Sequence, residues 1–176
     1  MIITHERFTL RDWELSDVKS LAEHANNPKI ARNLRDRFPH PYTVKDAEEF
    51  LNAVILKPDP PVDLAIEIDG KAVGGIGIVP QNDVARISAE IGYWLGEPYW
   101  HRGIMVVAVN EMVRYTFDHF EVVKIFAPVF EYNTASMRVL EKAGFVREGI
   151  MKQTAVKNGQ IIDLHYYGLL KRDTNY

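Results

Sequence analysis

Between Ile104 and Asp118 the chain reads IMVVAVNEMVRYTFD, which has helical spacing but apolar side chains on nearly every side of its first two turns. Met105, Ala108, Met112 and Tyr115 form one stripe, and Val106, Val107 and Val109 widen it. Asn110, Glu111, Arg114 and Asp118 restore a wet face only later. A helix apolar all round must be covered on more than one side, which demands a layered fold around it. The spacing therefore predicts a helix over 104–118 whose N-terminal end is set deep in the protein.

The flanking segments identify the covering layer. RFTLRDW alternates as a first strand. Ser16 opens a helix over DVKSLAEHANN, with Val18, Leu21 and Ala22 at helical spacing, and Asn27-Pro28 closes it. IARNLRDRF reads as a short helix halted by PHPYT. Thr43 and Asp46 make a capping box before VKDAEEFLNAVIL, and KPDPP stops that helix. VDLAIEI-DG-KAVGGIGIV is a hairpin turning at Asp69-Gly70. ARISAEIGYWL and VVKIFAPVF are strands, and Thr134–Ala143 is a helix ended by Gly144. FVREGIMKQTAVK-NG-QIIDLHYYGLL is a second hairpin turning at Asn158-Gly159. Antiparallel hairpins in the middle and at the end, with a βαβα segment between them, predict an α/β (α+β) fold on one mixed sheet. No repeat or linker divides the chain, so residues 1–176 are expected to form one domain.

Charge and composition remove several function classes. A net charge of −3 and a pI of about 6.1 provide no basic excess for duplex binding. With no cysteine, there is no disulfide, thiolate metal site or cysteine nucleophile. The six histidines show no i,i+4 pairing, and no metal is expected. MIITHERFTLRDW has no apolar run long enough for a leader or anchor, which makes the cytoplasm the expected compartment.

The long helix also begins unusually. EPYWHRG precedes it, with no Ser, Thr, Asp or Asn at the position that ordinarily caps the first turn. A strand, a tight turn at Gly103 and a helix N-terminus together form an anion site, and Arg102 is placed to pair with a phosphate. Two readings fit the stretch alone: water satisfies the open N–H groups, or a bound pyrophosphate does. It is neither a G-x-G-x-x-G fingerprint nor a P-loop, and GGIG at Gly74–Gly77 lies inside a strand.

YWLGEPYWHRGIM, followed after one helix and one strand by EYNTASMRVLEKAGF, resembles the GNAT superfamily of acyl-CoA N-acyltransferases, and within it the RimJ/RimL-like branch. The likeness extends from FTLRDWELSDVKSLAEHANNPKIARNL through FPHPYT to DLHYYGLLKRD. The resemblance implies a mixed, mostly antiparallel sheet flanked by helices. Its central strands splay, and the pantetheine arm of acetyl-CoA lies in the gap. Carried over, the implied contacts are Trp94 and Leu95 with pantetheine. The turn of His101, Arg102, Gly103, Ile104, Met105 and Val106 holds the pyrophosphate, and Asn133 the pantetheine or phosphate region. The family more often has Gly at position 101 and Thr-Glu at 106–107, where this chain has His101, Val106 and Val107.

The implied activity is acetyl transfer from acetyl-CoA to a primary amine: a protein N-terminus, a diamine or a small amine. A non-enzymatic acyl-CoA-binding module is the alternative. Along ISAEIGYWL, alternation places Ser88, Glu90, Gly92 and Trp94 on one face. Glu90 is the candidate base, acting through water, or else it holds a structural hydrogen bond. The family's thiolate-protonating tyrosine corresponds to Leu140, and Ser136, one turn earlier, is the hydroxyl that RimL-like proteins use there. The other reading of Ser136 is an ordinary serine in a first helical turn. Tyr132 ranks below it as a donor. Asn33, Arg35, Arg37, Phe38 and His40 precede the capped helix where the family builds its acceptor cleft, and Asp163 and His165 are expected to border it. The apolar last strand suggests a homodimer through the C-terminal half.

Overall fold

Two-residue turns with both central φ angles positive build the two hairpins. Asp69 and Gly70 have φ of 51° and 74°, and Asn158 and Gly159 have 50° and 76°. This geometry matches the right-handed twist of the flanking strands, and Asp-Gly and Asn-Gly tolerate it best. The first turn joins β3 (Asp63–Ile68) to β4 (Lys71–Pro80), and the second joins β7 (Val146–Lys157) to β8 (Gln160–Leu170). The computed structural model describes residues 2–56 and 59–174.

The remaining strands are β1 (Ile2–His5), β2 (Phe8–Arg11), β5 (Ser88–Leu95) and β6 (Lys124–Phe130). The helices are α1 (Val18–Ala25), α2 (Pro28–Ala31), α3 (Val44–Ile55), α4 (Ile104–His119) and α5 (Thr134–Lys142). The strand order is β1-β2-β3-β4-β5-β6-β8-β7. β5 runs parallel to β6, whereas β1–β2, β2–β3, β3–β4, β6–β8 and β7–β8 are antiparallel. Among the described residues no helix is long and apolar enough to cross a membrane.

The chain divides into two compact units, Met1–Gly77 with Tyr93–Ile104, and Ile78–Gly92 with Met105–Tyr176. In the first unit a core gathers Trp13, Leu21, Ala25, Tyr42, Ala47 and Leu51, all buried, with Phe38, Phe50 and Trp94 packed partly against it. An ion network ties β2 to the start of α1. Arg11 donates from both terminal nitrogens to the two oxygens of buried Asp17 at 2.8 Å, and from Nε to Glu67 on β3. Both acids raise the Arg11 pKa above its ordinary value, so the guanidinium stays charged.

In the second unit the two faces of the sheet differ. Ile125, Ala127 and Val129 of β6 and Tyr167 and Leu169 of β8 are buried, as are Val109, Met112 and Val113 of α4 and Leu140 of α5. Tyr167 reaches Glu141 of α5 with its hydroxyl at 3.0 Å, so this is the helix-facing side. The other face of β6, Lys124, Phe126, Pro128 and Phe130, is only half-buried.

Four details differ from the reading of the sequence. A strand, β1, precedes the expected first one, and Glu6 and Arg7 form the turn between them. Ser16 lies inside a short 3₁₀ turn, Leu15–Asp17, and bonds Glu14 rather than capping α1. Asn27-Pro28 opens α2 instead of closing α1: Asn27 Oδ1 accepts from the Lys29 amide, with Pro28 in the first turn, where its missing N–H costs nothing. α2 therefore starts before IARNLRDRF and stops at Ala31. Finally, the start of α4 is only partly deep: Ile104 is buried, Met105, Val106 and Val107 are half-buried, and full burial resumes at Ala108. The Thr43–Asp46 capping box forms in both directions. Residues 57 and 58 of the KPDPP stop lie outside the described residues.

Candidate active site

The turn before α4 lies wholly in the first unit and is held from several directions. Glu97 accepts from Asn27 Nδ2 at 2.7 Å and from Lys29 Nζ, and these bonds hold its carboxyl below the usual range. Trp100 Nε1 donates to the Leu95 carbonyl at 2.7 Å. His24 backs the segment, edge-on to Tyr99 at 5.7 Å, and burial lowers its pKa from 6.5. Beyond this clamp the backbone takes two left-handed residues, His101 at φ 60° and Gly103 at φ 73°. Histidine tolerates that region better than most residues, though at a cost of about 1–2 kcal/mol. The geometry explains why a glycine suits position 101: the site needs its φ.

His101, Arg102 and Gly103 are exposed. The Arg102 guanidinium lies 5.5 Å from the centre of the Tyr99 ring, and its carbonyl accepts from Arg7 Nη1 at 2.7 Å. Arg7 thereby fixes the peptide that leads into α4. The reading of the sequence missed it, because the contact spans 95 positions and Arg7 sits in an unremarkable turn. Arg7, His101 and Arg102 thus belong to, or bond, the turn that precedes a helix, a position whose dipole favours an anion.

The parallel ladder of β5 with β6 runs Ser88–Lys124, Ala89–Ile125, Glu90–Phe126 and ends there, although β6 continues to Phe130 against β8. Glu90, half-buried, therefore stands in the last row before the ladder stops. Two residues on, a side chain built at Gly92 would meet nothing within 4 Å. On the β4 side of β5 the Gly96 amide donates to the Val73 carbonyl at 2.8 Å, and an added Cβ at Gly74 would stand 2.6 Å from the Trp94 carbonyl. By strand alternation, the Leu95 main chain points to the other edge, and its carbonyl accepts from Trp100 Nε1 at 2.7 Å. The Trp94 side chain is committed to the first unit's core, against Gly75 and edge-on to Phe38 at 5.7 Å, and Leu95 is buried.

At the head of α5, Asn133 caps the helix, with Oδ1 accepting from the Ser136 amide at 3.2 Å. Ser136 and Tyr132 are half-buried, and the Tyr132 ring stands edge-on to Phe130 at 5.9 Å. Leu140 is fully buried, so its position serves the core and no acid replaces it there.

The two groups expected to border the acceptor have different surroundings. Phe38 packs on Tyr42 and Trp94, Asn33 Nδ2 bonds the Lys29 carbonyl at 3.1 Å, and Arg35, Arg37 and His40 are exposed. Asp163 and His165 lie on the opposite face of the sheet from Glu90: His165 pairs with buried Val129, whereas Glu90 pairs with Phe126. Asp163 is occupied by Lys152 Nζ at 2.7 Å and the Gln153 amide at 2.8 Å, pinning an irregularity in β7. These contacts lower its carboxyl pKa. Among the described residues no group of three or more His, Cys, Asp or Glu lies together as a metal site would require.

This geometry can be set beside known proteins. The model of the acetyltransferase (GNAT) domain matches residues 7–146. The chain is 28% identical over 170 residues to an uncharacterized N-acetyltransferase, p20, of Bacillus licheniformis, covering 96% of this chain and 95% of that protein. It is also 28% identical over 183 residues to the putative ribosomal N-acetyltransferase YdaF of Bacillus subtilis, covering 96% and 94%. Among solved structures, RimL, a ribosomal L7/L12 alpha-N-protein acetyltransferase in complex with coenzyme A, superposes with a TM-score of 0.85 over 99% of this chain and 100% of that one, at 22% identity.

Proposed function

The chain belongs to the acetyltransferase (GNAT) family, and on that premise we propose that it transfers the acetyl group of acetyl-CoA to a primary amine by direct attack in a ternary complex. The observation that carries this reading is the β5–β6 ladder, which stops in the row of Glu90 with open space beside Gly92. A strand edge without a partner accepts an extended amide chain such as pantetheine by adding main-chain hydrogen bonds. We assign that role to the Leu95 amide, and the diphosphate to the amides from His101 to Val106, with Arg102 and Arg7 beside them. Asn133 orders the head of α5, and its Nδ2 makes no hydrogen bond among the described residues, leaving it for the cofactor.

In the reaction the amine lone pair attacks the thioester carbon and the C–S bond breaks. The departing thiolate takes a proton. Glu90 takes the proton lost by the amine through one water and returns it to the thiolate, to whose sulfur Ser136 donates a hydrogen bond. No protein nucleophile is required, in keeping with a chain that has no cysteine.

The test is thiol release from acetyl-CoA with a panel of primary amines. Loss of a positioned base or acid lowers the rate by about 10²–10⁴-fold. Glu90→Gln is expected to lower kcat in that range with the acetyl-CoA KM unchanged, and Ser136→Ala to lower it less. Coenzyme binding without thiol release from any amine contradicts the reading.

A further inference from the structure

The open face of the second unit's sheet carries a row structure that the proposed chemistry leaves unused. Paired residues share a face, so the register places Lys124 beside Ser88, Phe126 beside Glu90 and Gly168, Pro128 beside Tyr166, and Phe130 beside Leu164. Phe126 and Tyr166 lie nearly parallel, with an interplanar angle of 9° and ring centres 6.3 Å apart. All of these side chains are half-buried, in contrast to Ile125, Ala127, Val129, Tyr167 and Leu169 on the opposite face, which are buried. Tyr132, edge-on to Phe130, stands at the far end.

The charges in these rows are Glu90 and one internal pair. Lys124 Nζ donates to Glu148 at 2.6 Å, and Glu148 lies across Gly168, where an added Cβ would be 2.4 Å from its Oε1. Lys124 and Glu148 cancel each other. Beyond Glu90 the face therefore supplies neither a net anion for a second ammonium nor a net cation for a carboxylate.

We propose that this face selects the acceptor: a small primary amine on an aromatic or branched apolar skeleton, with no second charge. The inference rests on the acetyltransferase reading and narrows it. The amine nitrogen comes to the Glu90 row, and its apolar group lies along Phe126, Tyr166 and Phe130. From Phe126 to Phe130 the strand advances roughly 13 Å at about 3.3 Å per residue, room for one ring and a short linker. A longer peptide is disfavoured on this face. On the edge where β6 pairs with β8 the main-chain groups are spent on each other, so peptide amides laid across that ladder lose water without a partner. A diamine and a free amino acid each bring a second charge that no described residue in these rows balances.

The experiment measures kcat/KM for phenethylamine, putrescine, L-phenylalanine and a Phe-initiated tripeptide with saturating acetyl-CoA, in the intact protein and in Tyr166→Leu and Phe126→Leu. Comparing amines within each variant makes the ratio independent of the folded fraction. Phenethylamine is expected to lead the other three by at least about tenfold, the value of one good aromatic contact. That lead is expected to shrink in both variants through KM rather than kcat. A preference for putrescine, L-phenylalanine or the peptide overturns the inference while leaving the enzyme an N-acetyltransferase, as does a ratio unmoved in both variants. No turnover with any amine, alongside acetyl-CoA binding, overturns both.

Discussion

Gly74 and Gly92 lie on neighbouring strands, yet the structure assigns them opposite consequences. A Cβ at Gly74 would stand 2.6 Å from the Trp94 carbonyl oxygen and 3.2 Å from the Leu95 Cα, both backbone atoms that no rotamer change can move. The first distance is nearly ~1 Å inside ordinary contact. Gly74→Ala should therefore cost about 2 kcal/mol, within the usual range for overpacking, and lower Tm by roughly 4–8 °C for a chain of this size. A Cβ at Gly92 meets nothing within 4 Å, and the residue is exposed. Gly92→Ala should raise stability by about 0.5 kcal/mol through the unfolded chain's lost freedom, which is a rise of roughly 1–2 °C. Gly92→Leu should remain folded with Tm near that of the parent. Its side chain enters the space beside Glu90, where misplacing a reacting group by an ångström costs about a hundredfold, so kcat/KM for the amine should fall by one to two orders of magnitude. Thermal unfolding and thiol release measured on the three variants separate the effects. Equal destabilisation at both positions refutes the claim of open space, and a stable, fully active Gly92→Leu refutes its use by the acceptor.

Three further outcomes are expected. His101→Gly removes left-handed strain of about 1–2 kcal/mol but frees the unfolded chain, for a net gain of up to about 1 kcal/mol by denaturant titration, and a loss of stability would show that the side chain holds the turn. Arg11→Ala leaves buried Asp17 without its cation and should cost about 3 kcal/mol, with the mutant midpoint in urea as the readout. Burial lowers the folded pKa of His24 below 6.5, with Glu23 opposing and Lys71 adding to the shift, so its contribution to stability is complete above pH 6.5 and is lost as pH falls through the folded value. Comparing Tm at pH 7.5 and 5.5 in the parent and His24→Gln measures this, and an identical pH response in the two contradicts it.

Local chemistry made much of this fold readable from sequence. Asp69-Gly70, Asn158-Gly159 and the Thr43–Asp46 box act within four residues, and each forms as expected. Asn27-Pro28 is also local but supports two outcomes, since a proline excludes the helix before it and favours the one after it. Longer-range features escaped. Which way the Trp94 carbonyl points depends on how β5 registers with β4, and a one-residue difference reverses every main-chain group. The same parity sends Asp163 and His165 to the helix-facing side, away from Glu90. The apolar start of α4 suggested depth throughout, whereas Ile104 is buried and Met105 to Val107 are half-buried beside an exposed turn. Arg7 became visible only when the chain brought it to Arg102.

Calorimetric titration with acetyl-CoA and with S-acetylpantetheine, which lacks the diphosphate, tests the turn around Gly103 most directly. Charge-assisted hydrogen bonds contribute about 1.5–3 kcal/mol each, so acetyl-CoA should bind at least about tenfold more tightly, and Arg102→Ala should narrow the gap. Equal affinities for the two thioesters, or no heat from either, would contradict the account.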